Sequence, residues 1–361
     1  MSSAETKDAP AVPAVPEPAH ILRVATAQFR PQQGGIEANV ARMVLFLREA
    51  GEAGAQVVVF PEAAVTGYLP DVIARVSVPP ASELVEAERV LREGCAAAGV
   101  ACVVGTPFVD SNSDDEQGEE QAACCRCYNS ATFIDASGNV VGRQHKMQLV
   151  PPDVSWATPG TVSNVFEFCG VQCAAIICHD KRYPELTRLP VLCGARVIFY
   201  LSCEEWHDDL ALLEPRIPAW SEERLRAEVG VYTAQSQARA VENRVFLVKS
   251  NVSGCAAVES GTAASAGTSH GTSCVIDPTG IVLATCGERT EELVVANLNM
   301  GEATALYADK SLLDGYALSS WWREGMARVK VHGRGGSLAK GKVATKLQRY
   351  ENEKLEISDD F

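Results

Sequence analysis

Three strand-like segments in this chain each end in a side chain able to move a proton or attack carbon. Val57-Val58-Val59-Phe60 runs into Pro61-Glu62, Asn139 to Gln144 into His145-Lys146, and Ala174 to Ile177 into Cys178-His179-Asp180. A carboxylate, an ammonium and a thiol form an amide-cleaving set. The carboxylate takes the thiol proton, the thiolate attacks the carbonyl carbon, and the ammonium stabilises the oxyanion of the tetrahedral intermediate. In layered α/β proteins ligands gather where strands reach their carboxyl ends, so the three residues are expected to converge on one site.

The elements that must position them read as follows. Ile21 to Gln28 is an apolar, β-branched run suited to a buried strand, and Ile36, Val40, Met43, Val44 and Leu47 repeat at helical spacing behind it. Gln56 to Phe60 has no alternation and suits a strand buried on both faces; Leu84, Ala87, Leu91 and Cys95 mark a second helix, and Val100 to Val104 a third strand. This β-α-β-α-β order predicts a layered α/β architecture. Tyr128 to Asp135 and Asn139 to Gln144 flank Ala136-Ser137-Gly138, a hairpin turn. Val165 to Phe168, Val171 to Cys178, Arg196 to Leu201 and Arg244 to Ser250 are further buried strands, with a helix over Ser221 to Asn243 capped by Ser221. Ser273 to Asp277, Ile281 to Thr285 and Leu293 to Asn297 complete a strand-rich C-terminal half, and the chain from Arg328 onward is expected to be an extended or mobile tail.

Composition narrows the function classes. The 361 residues are 47% hydrophobic and 22% charged, enough for a large core and unlike a disordered chain. No apolar stretch approaches the roughly 20 residues a membrane span needs. The net charge of −14 opposes binding to phosphate backbones, so neither membrane nor nucleic acid is an expected partner. Six carboxylates fall within 110–121, which reads as a solvated loop remote from the chemistry. Residues 1–20, rich in Ala, Pro and Glu, read as a disordered tail without a leader's apolar core. Thirteen cysteines in a chain of this length are expected to be reduced thiols in a cytoplasmic setting rather than a disulfide framework. Cys124-Cys125-Arg126-Cys127 lacks the spacing of a zinc knuckle, and Gly333-Arg334-Gly335-Gly336 lacks the strand and Lys-Ser/Thr pair of a phosphate loop.

The chemistry-bearing segments resemble those of the nitrilase superfamily of carbon-nitrogen hydrolases. The matching stretches are Val58-Val59-Phe60-Pro61-Glu62 with Thr66-Gly67-Tyr68, Arg143-Gln144-His145-Lys146-Met147, and Ile177-Cys178-His179-Asp180-Lys181-Arg182-Tyr183-Pro184-Glu185. Ala238 to Asn243, His270-Gly271-Thr272-Ser273 and Asp277-Pro278-Thr279-Gly280 continue the likeness, which spans roughly Ile21 to Lys330. The resemblance implies an α-β-β-α sandwich over 21–330, four-layered on dimerisation, between the N-terminal tail and a C-terminal extension over 331–361. It implies no metal and no organic cofactor, and a homodimer or higher homo-oligomer.

Carried over residue by residue, the resemblance makes Glu62 the general base, Lys146 the oxyanion stabiliser and Cys178 the nucleophile, with the backbone N–H of His179 as second oxyanion donor. The implied reaction is hydrolysis of an amide or N-carbamoyl substrate through a thioester, with a nitrile as the rarer substrate class. Tyr68, Trp156, Glu204 and Trp206 are candidate substrate contacts, and Glu242 a support for the nucleophile's turn. The acids in Glu204 to Glu214 weakly favour a cationic or polar substrate. One departure stands out: the second glutamate usual in the family between the lysine and the cysteine is missing. Asp153 is the acid available in Lys146 to Val165. Either Asp153 substitutes for it, or the site works without that group, or catalysis is impaired and the chain serves as a silent binding or assembly protein.

Overall fold

The computed structural model describes residues 20–78, 80–110, 125–206, 222–254, 268–313, 315 and 317–333. The expected tails at 1–19 and 334–361, the acidic run from 111 onward, Cys124, the expected cap Ser221 and residues 207–218 lie outside the described residues. In chain order the elements are β1 (Ile21–Gln28), α1 (Ile36–Glu52), β2 (Val57–Val59), α2 (Pro70–Val76), α3 (Ser82–Ala98), β3 (Ala101–Asp110), β4 (Arg126–Ile134) and β5 (Val140–His145). There follow α4 (Pro151–Val154), β6 (Ser163–Phe168), β7 (Val171–Ile177), α5 (Glu185–Leu192), β8 (Val197–Leu201), β9 (Glu205–Trp206), α6 (Glu222–Val241) and β10 (Phe246–Ser250). The last are β11 (Thr268–Ser269), β12 (Cys274–Ile276), β13 (Val282–Thr285), β14 (Glu292–Asn299), α7 (Leu306–Lys310), α8 (Ser319–Met326) and β15 (Val329–His332).

Two sheets carry the fold, one in the order β14-β1-β2-β3-β4-β5 and the other β13-β12-β10-β8-β7-β6-β15. The central strands β1, β2 and β3 run parallel, as do β7, β8 and β10. Strands covered on both faces need apolar residues at every position, which is why Val57–Val59 and Val197–Leu201 show no alternation and are buried throughout. The inner faces meet in one core, where Phe133 of the first sheet lies 4.7 Å from Phe166 and 5.9 Å from Phe199 of the second, ring centre to ring centre. On the far side of the first sheet, Phe29 and Phe60 pack with Met43, Phe46 and Leu47 of α1 and Leu91 of α3. On the far side of the second, Ile176, Ile198 and Leu247 pack with Val191 of α5, Ala240 of α6 and Ala308 of α7. The layering is the expected α-β-β-α sandwich.

One local reading changes, and one element goes beyond those read from the sequence: Pro70–Val76 forms a short helix with proline in its first turn. The basic stretch from Arg328, read as a tail, begins as β15, which pairs in parallel with Ser163 to Phe166 and stacks His332 on Phe166 at 4.9 Å. Val329 and Val331 are its only alternating apolar pair, a signal too short to stand out in a basic run.

Candidate functional site

Glu62 sits on the turn that leaves β2. The Phe60 N–H still donates to Val103 O at 2.9 Å, Pro61 has no N–H to continue the ladder, and Ala63 turns the chain with a φ of 50°. That turn lies directly against β3 at Gly105. A Cβ there would stand 2.6 Å from Glu62 Cα and 2.7 Å from Ala63 N, so Glu62 is seated where only glycine fits opposite it. The Glu62 side chain is 1% exposed. Its Oε1 accepts from Lys146 Nζ and from Asn129 Nδ2, both at 2.8 Å, and its Oε2 accepts from the Cys203 N–H at 2.9 Å.

Lys146 follows β5 and keeps its pairing, its N–H donating to Asn129 O at 2.8 Å while its own carbonyl accepts from the Gly160 N–H. The ammonium is fully buried and bridges two carboxylates, Glu62 at 2.8 Å and Asp153 at 2.7 Å. Burial opposes its charge, but Glu62, with Cys178 and Asp153, holds it well above the usual lysine range. Asp153 reaches the lysine because α4 starts at Pro151 and carries the acid inward in its first turn. Its Oδ2 also accepts from the Val150 N–H at 3.0 Å, and its Oδ1 accepts from Tyr68 OH at 2.5 Å. Burial, then Glu62 and Asp153, push the Tyr68 phenol up, so it stays a donor.

Cys178 is the first residue past β7 and has a φ of 48°, the left-handed region that costs an L-residue roughly 1–2 kcal/mol. It opens a one-turn 3-10 helix, Cys178–Arg182. Burial pushes the half-buried thiol up to about 12; Glu62 adds to this, whereas Lys146 and Lys181 pull it down. The resting thiol therefore holds its proton, and its attack requires a base in contact at that moment.

Asp180 ties this turn to the lysine. Its Oδ2 accepts from the Ile177 N–H at 3.1 Å and its Oδ1 from the N–H groups of Met147 and Gln148 at 3.2 and 2.8 Å, so one carboxylate joins the residue before Cys178 to the residues after Lys146. Burial raises its carboxyl to about 7, with those N–H groups pulling the other way. Arg239 braces the same turn from α6, its Nε donating to Lys181 O at 2.8 Å and its Nη1 pairing with Glu242 at 2.6 Å. Glu242 thus acts on the turn through Arg239, one residue further off than expected.

Among the candidate contacts, His179 is half-buried and edge-on to Tyr183, with burial holding its imidazole below the usual range. Trp156 is buried two residues past α4. Glu204 is buried with both oxygens engaged by cations, which leaves it unlike a free anion waiting for a cationic substrate. Trp206 lies on β9, with its side chain outside the described residues. Asn129, Asp180 and Arg239 were not singled out from the sequence. Asp180 stood inside the cysteine segment and Arg239 inside the α6 segment, but nothing in their spacing distinguished a clamp from a surface charge. The eleven described cysteines are free thiols, and no described helix is long and apolar enough to cross a membrane.

Residues 23–308 match the family model described as carbon-nitrogen hydrolase. A hydrolase in the agr operon of Staphylococcus lugdunensis is 31% identical over 132 residues, 36% of this chain and 47% of that protein. The N-carbamoylputrescine amidase of Arabidopsis thaliana is 29% identical over 180 residues, 48% of this chain and 55% of that protein. The chain thus spans about half the length of these curated relatives. Among solved structures, an amidase of the nitrilase superfamily from Nesterenkonia AN1 superposes with a TM-score of 0.60 at 24% identity, over 82% of this chain and 96% of that one.

Proposed function

We propose, from the premise that this chain belongs to the carbon-nitrogen hydrolase family, that it is an amidase-type hydrolase of non-peptide carbon-nitrogen bonds, acting through Cys178. The observation that carries this reading is the buried Glu62–Lys146 ion pair, 2.8 Å long, with Cys178 held on a left-handed turn at the end of the neighbouring sheet's β7. Support comes also from a glutamate-to-glutamine mutant of the Nesterenkonia amidase, which shows covalent addition of the acetamide moiety of fluoroacetamide at the active-site cysteine.

In this mechanism Glu62 takes the Cys178 proton as the sulfur attacks the carbonyl carbon. Lys146 Nζ and the His179 N–H hold the oxyanion. Glu62 then returns the proton to the leaving nitrogen, ammonia or an amine departs, and a thioester remains. Water, deprotonated by Glu62, attacks the thioester and frees the acid and the thiol. Asp153 takes the place of the absent glutamate, fixing the lysine between two carboxylates; its ion pair favours an active site over a silent one. The substrate class is a small amide or N-carbamoyl compound, and the working unit a homodimer built from one hydrolase domain over 21–330.

The test is ammonia release from a panel of ω-amides, N-carbamoyl amines and nitriles. Cys178→Ala is expected to abolish release from any responsive compound while leaving thermal unfolding unchanged. Turnover surviving in that variant would overturn the reading.

A further inference from the structure

A second cluster of buried charge adjoins the nucleophile's turn, and the steps above leave it unused. At its centre Glu204 accepts on Oε1 from Lys181 Nζ and from Tyr200 OH, the latter at 2.7 Å. Its Oε2 lies 2.9 Å from both Lys249 Nζ, an ion pair, and His270 Nε2, close contacts that are not aligned as hydrogen bonds. Lys181 is 2%, Lys249 1% and Glu204 8% exposed. Burial and the two lysines hold the His270 imidazole far below its ordinary range, so it contributes no charge. Taking an ammonium out of water costs several kcal/mol, and here two ammonium groups face one carboxylate among the described residues.

The candidate catalytic cluster has the opposite imbalance, with Glu62 and Asp153 facing the single ammonium of Lys146. Cys178 borders both. Lys181 is three residues along the same turn, and Lys249 pairs in register with Tyr200, which pairs with Ile176 just before the cysteine. The clusters also share a stretch of chain: the Cys203 N–H donates to Glu62, and the next residue is Glu204.

We propose that these two clusters form an opposed pair whose field carries the Cys178 proton toward Glu62 and holds the resulting thiolate, with Lys181 as the positioning residue of that field. The transfer breaks the S–H bond and makes an O–H bond on Glu62. One unit of negative charge leaves the acid-rich cluster and arrives on sulfur beside the lysine-rich one. Burial and Lys249 hold Lys181 below the usual lysine range, and a thiolate at Cys178 pulls both lysines back up, so thiolate and ammonium stabilise each other. Lys181 touches no substrate in this scheme. It acts through the sulfur.

The proposal rests on Cys178 being the nucleophile, and its test reads the sulfur without turnover. The measurement is the rate at which iodoacetamide alkylates Cys178 at about pH 8, followed on the Cys178 peptide by mass spectrometry so that the other thiols do not contribute. Lys181→Met leaves Glu204 paired with Lys249 and is expected to slow alkylation about tenfold, the consequence of raising a thiol pKa by about one unit. Glu204→Gln removes the cluster's carboxylate and is expected to alkylate at the wild-type rate or faster. If the cluster merely braced the turn, cutting its hub at Glu204 would slow alkylation at least as much as Lys181→Met, and that result overturns the proposal, as does a wild-type rate in Lys181→Met. Should Lys181→Met fail to fold, Lys249→Met removes the other ammonium with the same expected slowing and the same overturning result. Amide turnover surviving in Cys178→Ala would instead sink the hydrolase reading and leave the alkylation result standing.

Discussion

Asp153 is one methylene shorter than a glutamate, and the backbone makes up the difference. Pro151 starts α4 at the point where its first turn drives the acid onto Lys146, and the Val150 N–H and Tyr68 OH then hold both of its oxygens. A buried ammonium between two carboxylates keeps its charge and its direction together. Asp153→Asn retains the shape but removes one anion and presents an N–H₂ group either to the lysine or to the tyrosine. Turnover is expected to fall about 100-fold or more, as for loss of a preorganised electrostatic contact, with little change in thermal unfolding. Steady-state kinetics beside a melting curve checks this, and near-wild-type kcat would show that Asp153 is dispensable.

At the scale of the element, the site depends on how closely the Glu62 turn presses onto β3. Gly105→Ala puts a methyl group into the backbone of Glu62 and Ala63, which cannot yield without moving Glu62. Activity is expected to drop at least tenfold and the melting temperature by several degrees, consistent with an overpacking cost of about 1–3 kcal/mol. Retained activity in Gly105→Ala would mean that the turn tolerates displacement. This dependence also explains what could be read in advance. The strand ends carrying Glu62 and Cys178 were legible because a largely buried strand leaves an apolar run, and a charged or nucleophilic residue at its end breaks the pattern; Lys146 was legible only from its place at the end of the hairpin's second strand. The hairpin was legible from Gly138, which has a φ of 80°. Asn129 was not, because a polar residue on β4 looks like any outward-facing position until the partner elements fold over it. The grouping of Lys181, Glu204 and Lys249 was illegible for the same reason: they are far apart in the chain, and only the stacking of the 3-10 turn, the β8 tail and β10 brings their charges together.

For the molecule as a whole, two buried titrations act on stability with opposite signs. His145 stacks on Tyr128 at 4.1 Å, and burial, with Arg143, pushes its imidazole down to about 4. The folded chain then binds fewer protons than the unfolded one between about pH 6.5 and 4, so this contribution is complete above pH 6.5 and is lost as pH falls through that window. Asp180, raised to about 7, acts the other way: its contribution is complete below the unfolded carboxyl range near 4 and is lost as pH rises through about 7. The limbs offset one another in the wild-type chain. His145→Phe removes the first, so relative to wild type it is expected to gain stability progressively from pH 6.5 down to 4, by up to about 3 kcal/mol. Denaturant unfolding at several pH values reads this, and a difference independent of pH would show that His145 does not titrate in that range.

Glu62 and Lys146 hang from one sheet and Cys178 from the other, with the rings of Phe133, Phe166 and Phe199 as the layer between the sheets. A slide of one sheet across the other would part Glu62 from Cys178 and so lengthen the proton transfer proposed between them. On heating, hydrolysis should fade some degrees below the temperature at which the chain melts. Trimming Phe133 to leucine should widen that gap more than it lowers the melting point, which would make the enzyme's rate a gauge of the friction between its two halves.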